Sequence, residues 1–128
     1  MRPLHKDLLE IAPFGVWLID STGLFVDANA AGAALLASDP RSVAGRALQR
    51  YVYVEDHERL SEAQRQAWRS VRVQMDLRFV RADGVQVWLG LDLMRADGQH
   101  LVVYANDVSV QRQTEATWRE NEQRFRDE

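Results

Sequence analysis

Hydrophobic positions recur along this chain with two different periods, and the change from one to the other divides it. Near the start, Leu4, Leu8, Leu9 and Ile11 fall on one side of a short helix that Pro13 ends. Two short strands are predicted next, over 16–19 and 24–28, around a turn supplied by Asp20, Ser21, Thr22 and Gly23. Asn29 is placed to cap a short helix, AAGAALLA, which ends before Asp39-Pro40. Its Ala and Gly content predicts close approach to a neighbouring backbone. The stretch RSVAGRALQRYV, interrupted by Gly45, reads as a helical turn or two. From Glu55 the helical spacing is clear: Leu60, Ala63, Ala67 and Trp68 share a face, with Glu55 and Asp56 at the positive end of the dipole.

The period then drops to 2. Val71, Val73, Met75, Leu77 and Phe79 alternate with Arg72, Gln74, Asp76 and Arg78. Asp83-Gly84 signals a hairpin, and Val85, Val87, Leu89, Leu91 and Leu93 alternate in turn. A second turn at Asp97-Gly98 leads to HLVVYAND. Three long strands joined by tight turns make an antiparallel meander, one face partly solvated and the other covered by helices. The fold class is therefore α+β: five antiparallel strands, with the helices inserted between strands two and three and able to enclose a cavity against the sheet.

Composition narrows the function. At 128 residues and 46% hydrophobic the chain supports one core. With a net charge of −3 and its 16 Lys+Arg dispersed, it is not expected to bind nucleic acid. No apolar run is long enough to span a membrane, and the charged N-terminus is not a signal peptide. Cysteine is absent, which excludes disulfides, thiolate metal sites and flavin chemistry through a Cys adduct, and fits a reducing cytoplasm.

Five strings in order resemble the PAS family of sensor modules. GVWLIDSTGLFVDANAAGAALL is similar to that family's strand, Asp-x-x-Gly turn, second strand and Asn-x-Ala helix start. Gly45 resembles the glycine before the family's middle helices. YVYVEDHERL resembles its Pro-Asp segment, with Glu55 where Pro is common. RFVRADGVQVWL matches its Asp-Gly hairpin, with Trp88 at the family's Trp. DVSVQRQTEATWRENEQRFR resembles its exit sequence. The resemblance implies a flanking helix over 1–12, a sensor domain over 13–108 and a signalling or coiled-coil linker helix over 109–128. It further implies that the Arg-Phe-Arg end leads into an output domain of the histidine kinase or diguanylate cyclase type, and that the chain is cut from a longer protein.

Catalysis finds little support. Asp20, Asp27, Glu55, Asp76 and Asp92 sit in turns or at polar strand positions, and nothing in their spacing converges a general acid–base pair. The three His are far apart, and no phosphate loop or metal cluster is visible. Some relatives hold haem through a His on the long middle helix. Here His57, beside Asp56, Glu58 and Arg59, reads as a solvated helix start instead. No covalently bound cofactor is expected. Trp17, Phe25, Leu60, Trp68, Phe79, Leu89 and Tyr104 are candidates to line a small-ligand pocket; they are also what a core of this size needs. Trp88 and Met94, on the other sheet face, mark a partner surface or a place where the terminal helix folds back.

Asp107 and Ser109 stand between the last strand and the exit helix, Ser109 as a natural N-cap and the pair as a tie between helix and sheet. In that helix Gln111, Trp118 and Phe125 are spaced by seven, tracing a thin stripe that two copies could bury as a parallel coiled coil. The expected protein is a cytoplasmic, non-enzymatic homodimeric sensor that relays a signal from its helix–sheet cavity to an output domain. The alternative is a ligand-free structural dimerisation spacer, and behind it stand a haem-binding or non-covalent flavin-binding sensor and a small α+β enzyme.

Overall fold

A computed structural model describes residues 12–127, with side chains through Glu122. Strands β1 (Gly15–Asp20), β2 (Phe25–Ala28), β3 (Val73–Val80), β4 (Gln86–Arg95) and β5 (His100–Asp107) form one antiparallel sheet in the order β2-β1-β5-β4-β3. Between β2 and β3 lie α1 (Ala30–Ala34), α2 (Pro40–Val43), two 3-10 turns (Leu48–Tyr51 and Val54–Asp56) and α3 (His57–Trp68). Helix α4 (Ser109–Asp127) leaves the end of β5. This is the α+β arrangement expected, with the helices inserted after the second strand. The flanking helix expected over 1–12 lies outside the described residues, except for Ala12, which has no regular structure.

The turns follow from their residues. Asp20 Oδ1 accepts from Thr22 N, Thr22 Oγ1 and Leu24 N, while Gly23 takes φ +83°, which a side chain would resist. Gly84 does the same at φ +84° between β3 and β4. The first hairpin then joins the meander through β1, which lies along β5 from the Gly15–Ala105 pair to the Asp20–His100 pair.

Alternation assigns the two faces of the sheet. Trp17, Val103, Leu93 and Val73 are cross-strand neighbours on the helix-covered face; Val16, Tyr104, Asp92 and Gln74 are neighbours on the other. Helix α3 buries Leu60, Ala63 and Ala67, a stripe at helical spacing, over β3 and β4. Both edges of the sheet are occupied. At β2, Phe25 N donates to Arg46 O (2.8 Å) and Gly45 N to Phe25 O (2.8 Å). At β3, Tyr53 N donates to Arg78 O (2.9 Å) and Arg78 N to Asp56 Oδ2 (3.0 Å).

The tightest junction joins β1 to α1. Asn29, buried, is the N-cap of α1. Its Oδ1 accepts from Gly32 N (2.7 Å) and Val16 N (2.9 Å), and its Nδ2 donates to Phe14 O (3.0 Å). Trp17 Nε1 donates to Gly32 O (3.0 Å). A Cβ on Gly32 would come within 2.8 Å of both Asn29 Oδ1 and Trp17 Nε1, so the close backbone approach predicted from the Ala-Gly content is real and leaves no room for a methyl group. Gly32→Ala is therefore expected to destabilise the domain by about 1–3 kcal/mol despite the better helix propensity of Ala. Thermal unfolding checks this, as a fall in Tm of roughly 3–12 °C.

Candidate functional site

Six of the seven residues expected to line a pocket meet in the space between helices and sheet. Trp17, Phe25, Leu60, Phe79 and Leu89 are buried in one cluster, and Trp68 packs against it from its edge. The aromatic members touch directly, Trp17 edge-on to Phe25 at 5.5 Å and tilted against Phe79 at 5.6 Å between ring centroids. Tyr104 is the exception. It stands on the opposite face of the sheet, edge-to-face with Phe14 at 5.3 Å, because its β5 register pairs it with Asp92 and Val16.

The cluster also holds Tyr51, which sequence reasoning left out. It packs edge-on to Phe25 at 5.9 Å, and its hydroxyl is buried with no hydrogen-bond partner among the described residues. A buried hydroxyl without a partner carries a desolvation cost that nothing there offsets. It adds a polar point to the apolar cluster around it.

His57 does not face that interior as a ligand. One ring nitrogen lies 2.8 Å from Val52 O and the other 3.0 Å from Gln49 Nε2, which ties the start of α3 to the preceding loop. Four of the five carboxylates considered for catalysis are also committed, and the fifth, Glu55, is exposed. Asp20 holds its turn, Asp27 accepts from Ala28 N, Asp76 pairs with Arg112, and Asp92 pairs with Arg72. Hydrogen bonding to Arg72 keeps the Asp92 carboxyl below its usual range, the wrong direction for a general acid. Among the described residues, no group of three or more His, Cys, Asp or Glu is placed to hold a metal ion. No helix among them is long and apolar enough to cross a membrane.

On the outer face a groove of about 540 Å³ runs between Phe14, Tyr104, Asp92, Gly90, Asp76 and Val108. Gly90 forms part of its floor, where a Cβ would sit 3.1 Å from both Asn106 Oδ1 and Val108 Cγ1. Trp88, expected on this face either as a partner surface or where the terminal helix folds back, is half-covered. The guanidinium of Arg112 sits 3.7 Å from its ring centroid and that of Arg78 5.8 Å from it. The opening turn of α4 thus folds back over β4.

The junction before α4 is bonded to the backbone of Trp88 in both directions. Val108 N donates to Trp88 O (2.9 Å), and Trp88 N donates to Ser109 Oγ (2.9 Å). Ser109 is thus not the N-cap anticipated: it is the first helical residue, and its hydroxyl accepts from the strand. Asp107 Oδ1 accepts from Ser109 N (2.8 Å). Beyond the junction the helix has two faces. Arg112 lies on the sheet, whereas Val110, Thr114, Thr117, Trp118 and Asn121 share a shallow groove elsewhere on the helix. Arg112 comes about 200° around the helix from Val110, so that groove turns away from the domain. Val110 is 77% exposed and Trp118 63%. Phe125, expected in the same stripe, has its side chain outside the described set.

The inserted segment and the sheet meet at one buried charge. Asp56, 3% exposed, accepts from Arg78 N, Nε (3.1 Å) and Nη2 (2.9 Å). The Arg78 side chain holds this carboxyl below its ordinary 3.8, against burial, which pushes it up.

The sequence matches the family described as PAS fold over residues 9–113. No curated protein matches it. Its fold is similar to that of the PAS domain of an HTR-like protein from Haloarcula marismortui, at 21% identity, covering 78% of this chain and 85% of that one, with a TM-score of 0.68. It is similar to the PAS domain, in complex with ethanol, of a LuxR-family transcriptional regulator from Burkholderia thailandensis, at 20% identity, 82% and 97% coverage, and TM-score 0.70. It is also similar to the N-terminal domain of a diguanylate cyclase with PAS/PAC sensor from Marinobacter aquaeolei, at 22% identity, 77% and 98% coverage, and TM-score 0.65.

A lowered carboxyl value means that the Asp56 contribution is full above 3.8 and is lost as pH falls through the folded-state value. Asp56→Asn is expected to cost about 2–3 kcal/mol at neutral pH by leaving Arg78 without its buried counter-charge. In denaturant titrations taken down to about pH 3, the gap between the two proteins should narrow steadily.

Proposed function

The chain belongs to the PAS fold family, and on that premise we propose that it is a non-catalytic sensory and dimerisation module whose helix α4 carries a signal to a downstream output domain of the histidine kinase or diguanylate cyclase type. Residues 13–108 act as the sensor and 109–128 as the linker, in a cytoplasmic homodimer. The observation that carries this reading is the two-sidedness of α4. Its Arg112 side grips its own sheet while Val110 and Trp118, both largely exposed, face away from it. A tail resting on its own domain would turn Trp118 inward. A helix that meets a second copy turns it outward, as here. The bonds from Trp88 to Val108 and Ser109 support the relay, since a shift in β4 pulls directly on the first residues of the helix.

The signal enters the helix–sheet interior. Tyr51 supports this: a small ligand with one acceptor or donor would satisfy its hydroxyl. The dense burial of Trp17, Phe25 and Phe79 favours the second reading, a ligand-free spacer with a filled core. No cofactor is required by either.

Trp118→Glu and Val110→Glu are each expected to weaken self-association at least about tenfold in sedimentation experiments, because a charge would sit in the buried stripe. Ala116→Glu, an exposed position about 160° around the helix from Trp118, should leave it unchanged. An unaltered association constant in Trp118→Glu sinks the dimer-helix reading.

The two accounts of the interior separate on Tyr51→Phe. If the interior is filled and ligand-free, removing the orphaned hydroxyl leaves the protein as stable or about 1 kcal/mol more so. If a ligand binds there, native mass spectrometry shows an added mass on the wild type that Tyr51→Phe loses.

A further inference from the structure

We propose that Arg112, Trp88 and Asp76 form a releasable clamp that sets the direction of α4, and that Arg78 connects this clamp to the Tyr53–Asp56 segment where the inserted helices end and α3 begins. The proposal rests on the reading of α4 as an output helix and adds how its position is controlled.

Arg112 is the fourth residue of α4, and its N–H makes the helix's first turn by donating to Val108 O (3.0 Å). Its Nε donates to Asp76 Oδ2 (3.2 Å) on β3, and its guanidinium lies 3.7 Å from the ring centroid of Trp88 on β4. One side chain therefore holds the helix to two strands. Trp88 and Arg78 are directly paired across β4 and β3, and Asp76 and Gly90 are the next pair on that face. Gly90 leaves room beside Trp88: any side chain there would press on Asp76 and Val108.

Arg78 is the other neighbour of the ring. Its guanidinium lies 4.9 Å from the Tyr53 ring centroid and pairs with buried Asp56 at 2.9 Å. Because β3 is the edge strand, this side chain passes around the sheet edge from the outer face to the helical layer. Asp56, Arg78, Trp88 and Arg112 thus make a continuous set of contacts from the start of α3 to the start of α4.

The two halves differ in strength. Asp56 is buried and fixed, whereas the Arg112–Asp76 pair is 42% and 38% exposed. A half-exposed ion pair and a solvent-facing cation–π contact are each weak, so the clamp biases the docked helix by roughly tenfold. A bias of that size is held at rest and given up to a modest displacement of Arg78.

The test is amide hydrogen exchange over residues 112–117 in the intact chain. Arg112→Gln is expected to speed exchange there about tenfold, and Arg112→Lys, which keeps the charge without the planar stack, to recover part of that loss. Tyr53→Leu, which removes one face of Arg78 without touching buried Asp56, should speed exchange about threefold in the wild type and add nothing in Arg112→Gln. Unchanged exchange in Arg112→Gln, or a full additional effect of Tyr53→Leu in that background, overturns the clamp. Self-association of Trp118→Glu is read alongside. If it falls while Arg112→Gln exchanges as wild type, the clamp is wrong and the dimer helix stands. If Arg112→Gln opens the helix while Trp118→Glu associates normally, the clamp stands and the dimer helix is wrong.

Discussion

A single amide side chain fixes how the two layers of this domain meet. Asn29 caps α1, holds the first residues of β1 through Val16 and Phe14, and does so while buried, where unmade hydrogen bonds are costly. Because Gly15 and Gly32 bring backbone against backbone at the same place, α1 cannot slide or lift without breaking several bonds at once. The N-terminal end of the interior is therefore rigid. Any adjustment between helices and sheet falls to the opposite side, where α3 crosses β3 and β4 and where α4 departs.

That opposite side is held by different forces. Outside the buried Leu60, Ala63 and Ala67 of α3, its contacts include guanidinium groups on aromatic rings, Arg95 over Trp68, Arg78 over Tyr53 and Arg112 over Trp88. Such contacts orient a helix without locking it. The start of α4, held to the sheet by the half-exposed Arg112–Asp76 pair, is thus fixed less firmly than the bonded junction of β1 and α1.

Much of this was legible in the sequence because local chemistry and final structure agree. The change of hydrophobic period located the meander, Asp20 to Gly23 and Asp83-Gly84 marked their turns, and Asn29 announced its helix. Tyr104 was misread for a physical reason. LVVYA is apolar at every position, so alternation says nothing about which residue points inward, and only pairing with β4 decides it. Ser109 has the side chain of an N-cap, but its hydroxyl found a strand N–H that sequence does not bring near. The Arg78–Asp56 and Arg112–Trp88 contacts join residues more than twenty apart and carry no local signature. In the exit helix residues seven apart drift by only about 20°, so Gln111 stays beside Trp118 as its spacing indicates, and the groove adds Val110 and Thr114 to that side.

The occupied edges of the sheet have a bearing on assembly. The chain segment at Gly45 and Arg46 takes the outward backbone groups of Phe25 on β2, and Tyr53 with Asp56 takes those of Arg78 on β3. At those points neither flank is open to an added strand, the route by which sheet edges otherwise polymerise. In the dimer proposed above, contact between copies would fall to the helical stripe, and a stripe meeting its own image about a two-fold axis closes on itself. The same loops that complete the fold would thereby also favour pairs over open-ended chains.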